Sequence, residues 1–266
     1  MDSIDTSLTA RLFRKQGFAK GATKIEPAAL EELKTEVQRL QHSLNSGQSD
    51  STIVSFIDGP TEPGLKINNL WCISEVFRQV TIRAEILKEV AEITGAKTLR
   101  IWRDQLLVKP TGVAGTVKWH QDAFWWRVLS PANQITAWFS LDDVSSKNGC
   151  MAMIEGSHLW GLQTERIHWL NRGDVLNCDD AQLRDRFRDC ELSAGEIHYH
   201  HCLTWHGSHV NVSPKMRAAY AIHFLVDDTA VSQFDHPIKD LITRNSRGYI
   251  SGPLFPQVWP LQTESA

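Results

Sequence analysis

His120, Asp122 and His206 are the residues of this sequence whose types and spacing best suit metal chemistry. His120 and Asp122 are two positions apart, and residues at this spacing in an extended strand point to the same face. They could therefore chelate one ion from the end of one strand. His206 precedes Gly207 and Ser208, where a strand is expected to end in a turn, so it could supply a third ligand. Two histidines and one carboxylate on one face of Fe(II) leave coordination positions open, which is the facial triad of non-haem iron oxygenases.

Arg217 strengthens an otherwise weak pattern. A histidine and an aspartate two residues apart occur by chance in many chains, where they form a surface pair. Arg217 follows His206 by eleven positions, beyond a turn-prone segment. Its guanidinium could form a two-point salt bridge with a carboxylate beside the metal. Ala219 and Ala221 share its strand face and leave room for a small molecule. The alternative for an isolated arginine is an ion pair on the surface.

Other histidines and tryptophans near these residues have competing interpretations. His198 and His200 share one strand face, and His200 is the alternative to His206 as the third ligand. His206 is favoured because the Gly-Ser turn and Arg217 follow it. His158 is interpreted as a turn residue with a structural hydrogen bond. Trp126 follows Asp122 closely and is predicted to contact substrate, whereas core packing is the alternative for the tryptophans around it.

The hydrophobic pattern predicts helices in the N-terminal part and strands after residue 98. A helical turn and a strand are expected within residues 11–25. Apolar residues at helical spacing predict helices over 27–44 and 82–94, the second burying Ile82 and ending at Gly95. Short strands separated by turn signals predict an all-β barrel or sandwich, and these strands cover 99–108, 134–141, 195–204 and 217–226.

Composition and charge exclude several broad classes. The chain has 266 residues, of which 42% are hydrophobic and 22% are charged, a mixture typical of globular proteins. A net charge of −3 and the lack of a basic stripe argue against nucleic-acid binding. No apolar run approaches the roughly 20 residues that span a membrane. The N-terminus lacks the apolar segment of a secretory signal, the C-terminus lacks the peroxisomal tripeptide, and the five cysteines lack CxxC spacing. A cytoplasmic protein acting on a small molecule is expected.

Several motifs together resemble the phytanoyl-CoA dioxygenase family. The resemblance runs from about Leu12-Phe13 to about Phe224. It is carried, in order, by His120-Gln121-Asp122, Ala137-Trp138, Asn148-Gly149-Cys150, Gly156-Ser157-His158, His206-Gly207-Ser208 and Arg217. The family usually has proline before its Gly-Ser-His, and Glu155 stands at that place here. This departure concerns a turn and leaves the ligands unaffected.

The resemblance implies a double-stranded β-helix, of the jelly-roll or cupin-like type, that uses Fe(II), 2-oxoglutarate and O₂. His120, Asp122 and His206 match the metal ligands, and Arg217 matches the arginine that binds the distal carboxylate of 2-oxoglutarate. Ser208 matches a residue that assists it, and Gln105 and Trp138 match positions lining the cosubstrate pocket. Halogenating relatives have glycine or alanine in place of Asp122, so the resemblance implies a hydroxylase-type enzyme.

These observations predict one oxygenase domain over residues 1–266. Residues 1–98 would form helical support and first strands, and residues 99–226 the β-helix core with a lid-like insertion near 161–194. Residues 227–266 would form a mostly irregular tail. Two alternatives use the same triad: a metal- or ligand-binding β-barrel without turnover, and a zinc hydrolase whose activity needs no O₂. Arg217 argues against the first, because a binding module has no need of a cosubstrate clamp.

Overall fold

The computed structural model describes residues 8–45, 65–112, 117–165 and 181–261. Its α-helices are α1 (Leu8–Gln16), α2 (Pro27–Asn45), α3 (Glu75–Thr81), α4 (Ala84–Thr94), α5 (Asp122–Trp125) and α6 (Ala181–Arg184). Its strands are β1 (Phe18–Lys24), β2 (Leu65–Asn68), β3 (Leu99–Lys109), β4 (Leu129–Ser130), β5 (Ile135–Ser140), β6 (Met151–Ile154), β7 (Phe187–Cys190), β8 (Glu196–His201), β9 (His206–Ser208), β10 (Arg217–Val226), β11 (Ala230–Val231), β12 (Thr243–Arg244), β13 (Ile250–Ser251) and β14 (Gln257–Trp259). No helix among these residues is long and apolar enough to cross a membrane.

The N-terminal helices follow the predicted pattern, with one correction. In α2, the predicted stripe of Leu30, Leu33, Val37 and Leu40 is buried. The helix predicted over 82–94 corresponds to α4, which begins two residues later, at Ala84, and the preceding helix α3 was not predicted. Ile82 lies in the break between them and is 44% exposed rather than buried. Gly95 does end α4, in the left-handed conformation that glycine adopts without strain.

Two antiparallel sheets contain most of the strands in the described residues, and two smaller sheets pair β4 with β11 and β12 with β13. The larger has seven strands in the order β1-β8-β5-β10-β3-β14, with β2 also paired to β3. The smaller has three strands in the order β7-β6-β9. The four predicted strands correspond to β3, β5, β8 and β10. The class is therefore mainly β with supporting N-terminal helices, as predicted.

The two faces of the larger sheet have different roles. Side chains alternate along a strand, so each strand sends one set of residues to each face. In β5, Ile135, Ala137 and Phe139 belong to the main core with the helices. Trp138 packs on the opposite face with Met151 and Met153 of the smaller sheet. The space between the two sheets is therefore lined by the second set of residues, and it contains the site.

Two segments differ from the expected loops. The 227–266 tail contains β14, which pairs with β3 and extends the larger sheet, so it is less irregular than predicted. Of the proposed 161–194 insertion, residues 166–180 lie outside the described residues. Its later part contains β7, which pairs with β6 and belongs to the smaller sheet. The assignment of a lid and of a single domain stays a prediction.

Candidate metal centre

The structure brings His120, Asp122 and His206 together. One ligand atom from each lies within 4.8 Å of the others. Oδ1 of Asp122 is 3.6 Å from Nε2 of His120 and 3.7 Å from Nε2 of His206. Reciprocal backbone hydrogen bonds of 2.9 and 3.0 Å join His120 to His206, so the two histidines are placed by one β-bridge. These three ligand atoms face one position, which a small cation could occupy.

The expectation that His120 and Asp122 share a strand was wrong. Asp122 is the first residue of the short helix α5, and the preceding Gln121 has an extended backbone. The buried side chain of Gln121 anchors this segment. Its Nε2 donates to the carbonyls of Leu203 and Gly161 at 2.6 and 2.9 Å, and its Oε1 accepts from the amide of Gln163 at 2.8 Å. These hydrogen bonds hold the segment that carries Asp122 beside the histidines.

The hydrogen bonds of both histidines leave their ligating nitrogens available. Nδ1 of His120 lies 2.7 Å from the carbonyl of Lys118, and Nδ1 of His206 lies 2.9 Å from the carbonyl of Thr204. A carbonyl can only accept, so Nδ1 carries the proton in each ring and Nε2 keeps its lone pair. Metal-binding histidines are commonly oriented in this way. The donor set therefore fits a divalent ion such as Fe(II).

Burial shapes the ionisation of the same groups. Burial lowers the pKa of His206 well below its usual value, and the nearby His120 ring lowers that pKa further. The ring is therefore neutral at neutral pH, as a metal ligand must be. Burial by itself would raise the pKa of Asp122, but the His206 ring and contacts with His120 and His200 hold that pKa well below its usual value. The pKa directions of His206 and Asp122 thus favour a neutral ring beside a carboxylate, as metal binding requires.

The triad opens into a cavity of about 180 Å³ between the two sheets. All three ligands line it, together with Arg217. Its apolar wall is formed by Leu107, Val108, Val117, Trp138, Met151 and Ala221. The metal centre and the arginine thus belong to one compartment with a largely apolar wall, in which electrostatic interactions are stronger than in water.

Arg217 is held inside this cavity as a cation with unused hydrogen-bonding capacity. It is 4% exposed, Nη2 donates to the carbonyl of Gly149, and its guanidinium lies 5.3 Å from the centre of the Trp138 ring. Burial lowers the pKa of Arg217 to about 10, so it remains protonated at neutral pH. Among the described residues, nothing accepts from its buried Nε. A buried cation with an unsatisfied donor fits a carboxylate ligand.

The remaining predicted cosubstrate residues also line the cavity. Trp138 lies beneath Arg217, and Gln105 lies beside Asn68 and Arg103 on the strands β2 and β3. Ser208 accepts from Nζ of Lys109 at 2.6 Å and from the backbone amide of Val117 at 3.0 Å.

Lys109 is a cavity residue that sequence reasoning missed. It is buried, lies directly opposite Arg217 in the β3–β10 pairing, and also donates to the carbonyl of His209 at 2.6 Å. A signal was present, because Gln105, Leu107 and Lys109 alternate along β3 and so share one face. All three line the cavity.

Trp126 is placed differently from the other predicted site residues. It is buried in a cluster with Trp102 and Phe255, and the described residues that line the cavity do not include it. Its ring meets the cavity residue His223 edge-on, with centres 4.7 Å apart. Contact between Trp126 and a substrate therefore stays a prediction. His158 forms a hydrogen bond with the carbonyl of Arg14 at 3.1 Å, which agrees with a structural turn residue.

A second group of possible ligands lies outside the cavity wall. Cys150, Asp189 and His209 bring one ligand atom each within 4.8 Å. His209 and Asp189 are already paired at 2.6 Å, and Asp189 is exposed. Burial raises the pKa of the Cys150 thiol to about 12, so it is protonated at neutral pH. These features are typical of a surface ion pair beside a buried thiol.

Comparison with known proteins agrees with this geometry. The family model for phytanoyl-CoA dioxygenase (PhyH) matches residues 13–219. The chain belongs to the phytanoyl-CoA dioxygenase family. This family match spans the triad, Ser208 and Arg217, and it agrees with the resemblance seen in the sequence motifs.

Individual relatives are distant. A phytanoyl-CoA dioxygenase domain-containing protein 1 homolog from Caenorhabditis briggsae is 26% identical over 166 residues, which cover 59% of this chain and 57% of that one. The chain thus spans little more than half the length of this relative. The peroxisomal phytanoyl-CoA dioxygenase of Bos taurus is 23% identical over 255 residues, covering 88% of this chain and 75% of that one.

A solved structure shows the same fold. The non-heme α-ketoglutarate-dependent epimerase SnoN from nogalamycin biosynthesis superposes with a TM-score of 0.70 at 20% identity. The match covers 94% of this chain and 97% of SnoN. The cupin-like, double-stranded β-helix class expected from the sequence is therefore confirmed.

Proposed function

We propose that the protein is an Fe(II)- and 2-oxoglutarate-dependent dioxygenase that hydroxylates, or otherwise oxidises, an unactivated C–H bond of a small molecule. One observation carries the proposal: the His120–Asp122–His206 triad and the buried Arg217 line a single cavity. A metal-binding protein without turnover would need the triad but not a buried cation opposite it. SnoN, a distant protein of the same fold, has been solved with Fe³⁺ and α-ketoglutarate.

The residues of this chain divide the work of binding. His120, Asp122 and His206 hold the metal, which when bound supplies the activation of O₂. Arg217 pairs with the distal carboxylate of 2-oxoglutarate, and Ser208 and Gln105 contribute polar contacts. Trp138 and the apolar wall exclude water from the reacting centre. Oxidation of 2-oxoglutarate to succinate and CO₂ accompanies insertion of oxygen into the substrate.

Hydroxylation is the favoured outcome because Asp122 occupies the third ligand position. Halide would need that position, so the triad disfavours halogenation. The proposed substrate is a small molecule that reaches the centre through the cavity shared with the cosubstrate. Nucleic acid and membrane are not proposed as partners.

The test is turnover of 2-oxoglutarate by purified protein loaded with Fe(II). In the presence of O₂ and ascorbate, we expect succinate to form slowly without an added substrate and faster when a suitable substrate from a panel of small molecules is added. His206→Ala and Asp122→Ala should each lower the rate by at least about 100-fold, since each removes a direct ligand, whereas residues behind the ligands typically cost 10- to 100-fold. Absence of succinate, with no charge-transfer band on anaerobic addition of 2-oxoglutarate, would exclude the oxygenase. Hydrolytic activity that persists without O₂ would favour the zinc hydrolase.

A further inference from the structure

The two oxygens of Asp122 have different surroundings. Oδ1 faces the ligating nitrogens of His120 and His206. Oδ2 points the other way, and lies 3.1 Å from Oγ1 of Thr136 and 3.3 Å from Nε2 of His200. Because a carboxylate with free rotation could bind a metal through either oxygen or both, these contacts bear directly on how the ion is bound.

A row of three residues across three neighbouring strands makes these contacts. Thr136 of β5 pairs directly with His200 of β8 on one side and with His223 of β10 on the other. The three side chains are 1–3% exposed, so water does not replace the hydrogen bonds between them. Nδ1 of His223 lies 2.8 Å from Oγ1 of Thr136, which continues the chain of contacts away from Asp122.

The direction of each hydrogen bond follows from the carboxylate. An ionised carboxylate only accepts, so the Thr136 hydroxyl and Nε2–H of His200 must both donate to Oδ2. The Thr136 oxygen is then free to accept from Nδ1–H of His223. Among the described residues, Nδ1 of His200 and Nε2 of His223 have no partner, which agrees with their being the unprotonated nitrogens.

We propose that His200, Thr136 and, through Thr136, His223 are positioning residues that hold Oδ2 of Asp122 so that Oδ1 alone binds the metal. His200 is therefore a donor to the ligand and not a ligand, which decides between the two histidines left open by the sequence. The inference rests on the metal centre of the proposed function. It adds a residue set whose role is to orient one of the three ligands.

The experiment measures metal affinity, without turnover, in full-length apo protein titrated anaerobically with Co(II) against a competing chelator. Thr136→Val and His200→Leu each remove one donor to Oδ2 and leave an apolar side chain. We expect the affinity for Co(II) to fall by about 10- to 100-fold in each, the usual effect of removing a partner of a metal ligand. The visible bands of Co(II) should also change, because Asp122 can then rotate.

Conservative variants separate positioning from packing. Thr136→Ser keeps the hydroxyl and His200→Gln keeps an N–H donor near the Nε2 position. Both should stay within about threefold of wild type, which is roughly 0.7 kcal/mol.

Two matched controls remove similar groups that do not contact Asp122. Ser140→Ala deletes a buried hydroxyl on the same face of β5, where it donates to the carbonyl of Ala218. His198→Leu deletes the next imidazole on the same face of β8, which stacks on Trp138. Both should bind Co(II) as wild type does. Any ion held by Cys150 would be recognised by a thiolate charge-transfer band in the near ultraviolet.

The possible outcomes are distinct. If Thr136→Val and His200→Leu bind Co(II) as tightly as wild type, or if the conservative variants lose as much as the apolar ones, the positioning role is wrong. That result would leave the proposed function standing if the wild type still forms succinate. If the wild type binds Co(II) and the apolar variants show the predicted losses, but the wild type forms no succinate, the positioning role is retained and the oxygenase function is overturned. A wild type that binds no divalent ion overturns both.

Discussion

Replacing Arg217 with methionine tests the cosubstrate site most directly. The guanidinium is 4% exposed, retains its charge because its pKa remains near 10, and has a buried Nε with no acceptor among the described residues. A bound carboxylate would satisfy that donor. Methionine keeps much of the length and the apolar contact with Trp138 but removes the charge and all of the hydrogen-bond donors.

The expected magnitude follows from the burial of the pair. Removing one partner of a buried, hydrogen-bonded charge pair costs about 2–5 kcal/mol. At about 1.4 kcal/mol per factor of ten, the Kd for 2-oxoglutarate should rise from about 30-fold to a few thousandfold. Lys109 and Ser208 remain in the Arg217→Met variant, so the lower part of this range is expected. Arg217→Lys should be intermediate, because it retains the charge without the two-point geometry.

The assay is anaerobic titration of the Fe(II)-loaded protein with 2-oxoglutarate, followed by the charge-transfer band of the complex. Arg100→Met is the matched control: Arg100 lies on β3 and donates to Phe255 and Gln257 outside the cavity. The Kd of the Arg100→Met variant for 2-oxoglutarate should equal that of wild type. Thermal unfolding of each apo variant controls for the lost hydrogen bond from Arg217 to Gly149. A Kd for Arg217→Met within about threefold of wild type, roughly 0.7 kcal/mol, would refute the assignment.

Three further predictions concern stability. Glu89 accepts hydrogen bonds from the amides of Ala22 and Thr23 at 2.5 and 3.1 Å and from the Tyr199 hydroxyl at 2.8 Å. Glu89→Ala should therefore lower the free energy of unfolding by about 3 kcal/mol or more, as measured by denaturant titration. A loss below about 1 kcal/mol would contradict the importance of these bonds. Burial lowers the pKa of His201 from 6.5 to about 4, so its ring is neutral in the fold and protonates on unfolding between these values. The contribution of the neutral His201 ring to the free energy of unfolding is complete above about pH 6.5, and up to about 3 kcal/mol of it is lost as the pH falls towards 4. His201→Asn should therefore flatten the dependence of unfolding free energy on pH between these values. Equal slopes in wild type and variant would exclude this role of His201. Trp126→Ala should cost about 3–5 kcal/mol by leaving a core cavity. Unchanged stability with a raised KM for substrate would instead favour substrate contact.

The chemistry of the site could be predicted from the sequence because its signals are local. The His-x-Asp spacing, the Gly-Ser turn after His206 and the position of Arg217 each depend on neighbouring residues. Strands β3, β5, β8 and β10 were predictable for the same reason, since alternation and turn residues are visible along the chain.

The errors arose where a distant contact decides a local conformation. His120 and Asp122 were expected in one strand, but Asp122 begins the helix α5. The Gln121 side chain anchors this segment to the distant carbonyls of Gly161 and Leu203. The helix predicted over 82–94 begins two residues later, at Ala84, and the preceding helix α3 was not predicted.

The sequence by itself indicated the mainly β class, the three proposed ligands and the proposed role of Arg217. The tertiary structure decided which side chains support them. Lys109 meets Arg217, and Thr136 meets both His200 and His223, only through the register of antiparallel strands. The register of the strands brings together residues about 60 to 110 positions apart. No local pattern encodes this register, because shifting a strand by an even number of residues keeps the same side chains on each face but changes their cross-strand partners. The ligands can therefore be predicted from the chain, whereas the residues that orient them emerge only when the sheet is assembled.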